Sequence, residues 1–91
     1  MDKRLSLMIS GRVQGVSYRM ETIKKARELK LTGFVKNTED KRVRIIAEGK
    51  EKNLELLKDW AMAGSRNAKV EKVKFKYSDA IGEFDNFAVK K

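Results

Sequence analysis

The feature that most constrains the fold is the period of the hydrophobic residues, which switches repeatedly between that of a strand and that of a helix. Alternation over residues 5–9 predicts a first strand, and three-to-four-residue spacing over 20–29 predicts a first helix. We expect Gly33 to end this helix in a left-handed conformation. The apolar face of the helix is predicted to comprise Met20, Ile23, Ala26 and Leu29.

The rest of the chain continues in the same manner. The remaining predicted elements are a strand that opens at Phe34 and Val35, a strand over 43–47, a helix that stops near Gly64, a strand over 73–77 and a short strand within 84–89. Polar residues 37–42 separate the first two of these strands and predict a hairpin.

The resulting order is β-α-β-β-α-β with a short terminal strand. It predicts an α+β fold, a ferredoxin-like two-layer sandwich in which an antiparallel sheet carries two helices on one face. No stretch has the composition of a linker, so we expect a single domain over residues 1–91. This fold hosts RNA-binding modules, metal chaperones and enzymes, so the function has to be derived from a site.

Composition and charge exclude several kinds of chemistry. The 91 residues include no Cys and no His, which excludes disulfides, thiolate metal sites, and Ser-His-Asp or zinc hydrolases. A net charge of +9 indicates an anionic partner or substrate, although a lysine-rich surface also serves solubility alone. No membrane-spanning apolar run occurs and no signal-peptide pattern follows Met1, so we expect a cytoplasmic protein.

The connection between the first strand and the first helix is the most informative stretch. Gly11 and Gly15 permit backbone conformations that a side chain would block, and backbone N–H groups converge at the start of the helix. Such a turn binds anions, because the helix dipole adds a partial positive charge there. Arg19 lies in the first helical turn, where its guanidinium can clamp a phosphate. An ion pair with Glu21 is the alternative for Arg19.

This connection and the second strand resemble the two motifs of a known family. Residues 11–19 read GRVQGVSYR, which is similar to the acylphosphatase signature G-R-V-Q-G-V-x-[FY]-R. Residues 33–37 read GFVKN and resemble the second motif, G-[FW]-V-[KR]-N. The spacing of the two motifs also fits, and a V-x-x-x-x-E-G segment follows at 43–49. The resemblance covers nearly the whole chain and is highly specific.

The resemblance implies an enzyme that hydrolyses the carboxyl–phosphate bond of acyl phosphates to a carboxylate and inorganic phosphate, with no metal, cofactor or covalent intermediate. By position, Arg19 matches the family's phosphate-binding arginine, and Asn37 matches the asparagine that orients the attacking water. Without the resemblance, an asparagine at this position reads as a turn residue. The residues expected to bind the substrate are Gly15, Val16, Ser17, Tyr18 and Arg19.

A site without His, Cys or metal is adequate for this reaction. The leaving group is a carboxylate, so no strong general acid is required, and phosphoryl transfer chiefly needs positioning and charge neutralisation. Ser17 stands where relatives commonly carry glycine, which leaves the geometry of the loop open. The ring of Tyr18 is expected to lie buried under the loop.

Two other functions compete with this one. A nucleic-acid-binding module would use the basic stripe of Lys72, Lys74 and Lys76. Phe75 and Tyr77 are expected in the core, however, and not on an exposed face where bases stack, so nucleic acid is not expected as the main partner. The other alternative is a non-catalytic interaction domain, against which the presence of both motif residues argues. We expect a monomer with no membrane partner, whose physiological acyl phosphate the sequence does not name.

Overall fold

The computed structural model describes residues 2–15, 17–64 and 67–90, and these form strands and helices in the predicted order. The elements are β1 (Lys3–Arg12), α1 (Tyr18–Glu28), β2 (Thr32–Asn37), β3 (Val43–Gly49), α2 (Glu51–Ala63), β4 (Lys69–Asp79) and β5 (Phe87–Val89). The α+β ferredoxin-like sandwich is thereby confirmed.

The described strands form one five-stranded sheet in the order β4-β1-β3-β2-β5. The pairs of β1 with β3 and β4, and of β2 with β3, are antiparallel, but β5 runs parallel to β2. The expected antiparallel sheet is therefore corrected to a mixed one. The reason lies in where β4 ends. The last residues of β4 lie on the side of the sheet where β2 begins, so a chain that crosses from there to β2 pairs with β2 in the same direction.

The core lies between the sheet and the two helices, which cover the same face. Alternate residues of β1, Leu5, Leu7 and Ile9, are buried there. The buried residues of α2 that join the same cluster are Leu54, Leu57 and Ala61.

No helix in the described part of the chain is long and apolar enough to span a membrane.

The first helix buries a face that only partly overlaps the expected one, with Ala26 common to both. Its buried residues are Tyr18, Thr22 and Ala26. Met20, expected in the core, is 69% exposed, whereas Ile23 and Leu29 pack at the margin of the core. Thr22 replaces an apolar residue because its hydroxyl donates a 2.8 Å hydrogen bond to the carbonyl of Tyr18. A hydrophobic pattern cannot identify a threonine that is satisfied in this way.

The first helix also ends before the expected glycine. The last residue of α1 is Glu28, and Lys30, with φ 57°, takes the left-handed conformation that was assigned to Gly33. Gly33 lies instead within β2, where a Cβ would stand 1.9 Å from the carbonyl oxygen of Ile46. A glycine is thus required at this position because β3 approaches closely, and not because a helix ends there.

Side chains on the edge strands are more exposed than expected. Val73 and Tyr77 pack against the margin of the core, but Phe75 between them is 52% exposed, which corrects its placement in the core. The reason is that β4 is an edge strand and that α2 places the long side chain of Lys58 over Phe75; its ammonium lies 4.3 Å from the centre of the Phe75 ring. Val89, on the opposite edge strand, is exposed as well.

Candidate active site

The topology brings both sequence motifs to one edge of the sheet. Because β1 and β2 both run antiparallel to β3, their carboxyl ends lie at the same edge. The connection that follows β1 leads there into α1, whose second residue is Arg19. Asn37 is the last residue of β2 and pairs with Val43 at the same edge. The two predicted catalytic residues therefore lie at the same edge of the sheet, Asn37 at the end of β2 and Arg19 shortly after the end of β1, with β3 between these two strands.

Two left-handed residues turn the chain from β1 into α1. Gly15 has φ 71°, and since a Cβ on it would meet no atom within 4 Å, the positive φ alone favours glycine. Ser17 has φ 65° and occupies the same region with a side chain, at a cost of about 1–3 kcal/mol. This explains why a glycine suits that position. Val16, also predicted to bind substrate, lies outside the described residues.

The start of α1 presents backbone donors that the helix itself leaves unpaired. The Glu21 N–H donates a 3.1 Å bond to the carbonyl of Ser17, and it is the first bond of the helix. The N–H groups of Tyr18, Arg19 and Met20 precede it and have no partner inside the helix. The Ser17 side chain makes no capping hydrogen bond. Together with the partial positive charge of the helix end, these donors form an acceptor site for an anion.

The Tyr18 side chain points away from these donors. The residue is 1% exposed, and its hydroxyl donates a 3.0 Å hydrogen bond to the carbonyl of Ala61 in α2. Its ring lies 5.4 Å from that of Trp60, centre to centre. Burial raises the pKa of the Tyr18 hydroxyl, so it stays protonated and donates. The expectation of a buried ring is confirmed, and only the backbone of Tyr18 faces the loop.

Arg19 is half-buried and lines a small cavity of about 100 Å³. The other residues around this cavity are Val13, Gly15, Ser17, Tyr18 and Met20. Among residues 2–15, 17–64 and 67–90, neither Glu21 nor any other acidic side chain forms an ion pair with Arg19. The alternative that Arg19 serves an ion pair with Glu21 is thus not seen, and its guanidinium donors are available to an anion.

Asn37 carries a buried side-chain oxygen, Oδ1. No described residue donates a hydrogen bond to its Oδ1. Leaving such an oxygen unpaired costs about 1–3 kcal/mol, so the position favours a donor from outside the chain, such as water. Asn37 also borders an open concavity of about 670 Å³ beside the β2–β3 hairpin. Arg19 and Asn37 therefore share an edge of the sheet but line separate concavities.

Gln14 joins the loop to this hairpin, a role that the sequence analysis did not identify. Its Nε2 donates to the carbonyls of Thr38 and Arg42, at 3.1 and 2.8 Å. Thr38 supports the turn from within, since its hydroxyl accepts a 2.9 Å bond from the Arg42 N–H. The only signal in the sequence was the presence of Gln14 inside the first motif, because the pairing depends on the tertiary fold.

Comparison with known proteins agrees with this arrangement. The sequence profile of the acylphosphatase family matches residues 5–89. The acylphosphatase of Marinobacter nauticus is 46% identical over 84 residues, which cover 92% of this chain and 91% of that protein. The acylphosphatase of Salinibacter ruber is 44% identical over 90 residues, 99% of this chain and 95% of that protein.

Structural similarity extends over the same length. The crystal structure of the acylphosphatase from Bacillus subtilis matches with a TM-score of 0.93 and 32% identity, covering 98% of this chain and 99% of that one. The chain therefore belongs to the acylphosphatase family, which confirms the hydrolase class that its two motifs predict.

Proposed function

We propose that this chain hydrolyses the carboxyl–phosphate bond of a small acyl phosphate, with Arg19 binding the phosphate and Asn37 orienting the water. Family membership supports the reaction. The observation that carries the assignment of residues is the Oδ1 of Asn37, which is buried at the sheet edge where α1 begins and has no hydrogen-bond partner in the part of the chain that the structure describes. A buried acceptor in that position suits a group that holds a water molecule.

The phosphate binds at the start of α1. Backbone N–H groups over residues 15–19, of which Val16 is assigned from the sequence alone, donate to the phosphate oxygens. The guanidinium of Arg19 adds a charged bidentate contact. These fixed donors stabilise the charge that is spread over the equatorial oxygens in the transition state, which is the main catalytic requirement of phosphoryl transfer.

The water attacks phosphorus opposite the leaving carboxylate. Asn37 accepts a hydrogen bond from this water through Oδ1, which turns an oxygen lone pair towards phosphorus. A new P–O bond forms as the P–O bond to the acyl group breaks, and the acyl carboxylate leaves with that electron pair. Because a carboxylate is stable at neutral pH, the leaving group needs no protonation, and the proton of the water passes to solvent.

We extend the proposal to the context of the reaction. The partners are a small acyl phosphate as substrate and inorganic phosphate as product, with no cofactor, no membrane partner and no nucleic acid as main partner. The acting unit is a cytoplasmic monomer formed by a single domain over residues 1–91. Its +9 charge supports an anionic substrate, because it attracts such molecules over a distance.

The test is the loss of benzoyl phosphate absorbance in EDTA, with inorganic phosphate as a competitive inhibitor. Arg19→Ala is expected to abolish both phosphate inhibition and turnover. Asn37→Ala is expected to retain phosphate inhibition and to lose most of kcat. Lys24→Ala removes an exposed charge from the same helix and should resemble the wild type. A folded wild-type protein without hydrolysis, or near-normal kcat in Asn37→Ala, would overturn the proposal.

A further inference from the structure

We propose that Gln14 is a positioning residue, which holds the β2–β3 hairpin and with it Asn37 in register with the loop that leads into α1. The inference rests on the proposed function, because it concerns how the assigned water-orienting residue is held. Gln14 touches no reacting atom in this scheme, and it acts through the backbone on which Asn37 lies.

The two ends of this contact are themselves well placed. Val13, which precedes Gln14, is 1% exposed and belongs to the core cluster, so the backbone of Gln14 leaves from a fixed point. At the other end, the Thr38 N–H donates a 2.8 Å bond to the same Arg42 carbonyl that Gln14 binds. Gln14 therefore joins the core-anchored loop to the base of the hairpin turn.

The orientation of the Gln14 amide follows from its partners. Both are backbone carbonyls, which accept and cannot donate, so the amide nitrogen must face them and each of its two hydrogens meets one oxygen. Among the described residues, no other side-chain hydrogen bond joins residues 13–17 to residues 37–42. Beside the backbone ladders that join β1 to β3 and β3 to β2, the described side-chain link between the loop and the hairpin is this one.

Asn37 needs such a link because no described residue holds its side-chain oxygen, Oδ1, through a hydrogen bond. The position of that oxygen therefore depends on the backbone of Asn37 and on the packing around it. Thr38, the next residue, is one of the two that Gln14 binds. A displacement of about 1 Å at a reacting group can lower a rate about 100-fold, so loosening this backbone should appear in kcat.

Gln14→Met removes both donors at similar side-chain length. We expect kcat to fall about 10- to 100-fold, while the inhibition constant for inorganic phosphate stays within about twofold, because Arg19 and the helix end are unchanged. Gln14→Asn keeps the amide but is too short to reach both carbonyls, and it should give an intermediate kcat. It also serves if Gln14→Met does not fold. Glu39→Ala removes an exposed charge from the same turn, where Glu39 forms no side-chain hydrogen bond or ion pair with a described residue, and should retain most of kcat.

The double variant Gln14→Met/Asn37→Ala separates positioning from a merely structural effect. If Gln14 acts through Asn37, the double variant has the kcat of Asn37→Ala alone. If the kcat of the double variant instead falls by the product of the two single losses, Gln14 acts elsewhere and the inference is overturned. The same holds if Gln14→Met weakens phosphate binding in parallel with kcat. Near-normal kcat in Asn37→Ala alone would instead overturn the proposed function, so the two failures are distinguishable.

Discussion

The hydroxyl of Tyr18 donates a 3.0 Å hydrogen bond to the backbone carbonyl of Ala61, so the first residue of α1 is fastened to the last turn of α2. The next residue in the chain is Arg19. The position of the proposed phosphate-binding arginine therefore depends on a contact with α2. The partner residue in that contact, Ala61, lies outside both sequence motifs.

Tyr18→Phe removes this hydrogen bond and keeps the ring against Trp60. We expect the free energy of unfolding to fall by about 1–3 kcal/mol, because the buried carbonyl of Ala61 loses its donor. Urea unfolding measures this change. An unchanged unfolding midpoint would show that the bond contributes nothing to the anchoring of α1.

Tyr77→Phe provides the matched control. The hydroxyl of Tyr77 is also buried, but it has no hydrogen-bond partner among the described residues. Removing a buried polar group that is unpaired relieves a desolvation penalty, so this variant should be neutral or slightly more stable. The same chemical change thus has opposite expected signs at two tyrosines, and equal destabilisation of both would contradict the account.

Ser17→Gly should stabilise the protein. Ser17 has φ 65°, a conformation that glycine adopts without strain, and its side chain makes no cap bond that would be lost. Relief of strain outweighs the added chain entropy of glycine, so we expect a gain of about 0.5–1 kcal/mol. Ser17→Ala keeps the strain and should change stability by less than about 0.5 kcal/mol. Thermal unfolding of the two variants measures these changes. A Ser17→Gly variant less stable than the wild type would show that the backbone of Ser17 is not strained.

Glu48 makes stability depend on pH. It is 4% exposed, and its carboxylate accepts bonds from Arg4 Nε and from the N–H groups of Ile81 and Gly82 at 2.8–3.0 Å. Burial raises the pKa of Glu48, but the two backbone donors and Arg4 outweigh it, so the pKa lies below its ordinary value. The stabilisation is present above the unfolded pKa of about 4.3 and is lost as the pH falls through the folded one.

Urea titrations from pH 7 to pH 3 test this dependence. Wild-type stability should decrease on acidification. Glu48→Gln should cost about 1.5–3 kcal/mol at pH 7, because the donors from Arg4, Ile81 and Gly82 lose a charged acceptor, while Arg4 keeps its ion pair with Glu83. The difference in the free energy of unfolding between the wild type and Glu48→Gln should decrease at low pH. Parallel curves over the whole range would show that ionised Glu48 does not stabilise the fold.

Arg19→Lys keeps the charge but removes the planar pair of donors. If the guanidinium clamps phosphate through two bonds, we expect kcat/KM to fall about 10- to 100-fold and inhibition by inorganic phosphate to weaken. Hydrolysis of benzoyl phosphate measures both quantities. Wild-type values in the lysine variant would indicate that only the charge of Arg19 matters.

Chain-local patterns predicted the order of the elements and the residues of the two motifs. The alternation of Leu5, Leu7 and Ile9 predicted β1, because the side chains of a strand alternate between faces whatever the rest of the fold does. The residue types and their spacing likewise indicated Arg19, whereas Asn37 was identified through the resemblance of residues 33–37 to the second acylphosphatase motif. Their proposed roles require chemistry that these side chains carry themselves.

Packing between distant residues decided the rest. Thr22 is buried in place of Met20, and Phe75 is exposed, because burial depends on which element covers a position and not on the residue alone. The bonds of Gln14 to the hairpin, and an Asn37 Oδ1 that no described residue binds, arise only when β1 and β2 are aligned through β3 so that both end at one edge of the sheet. A hydrogen bond between segments distant along the chain has no local signature, since its geometry is fixed by the whole sheet.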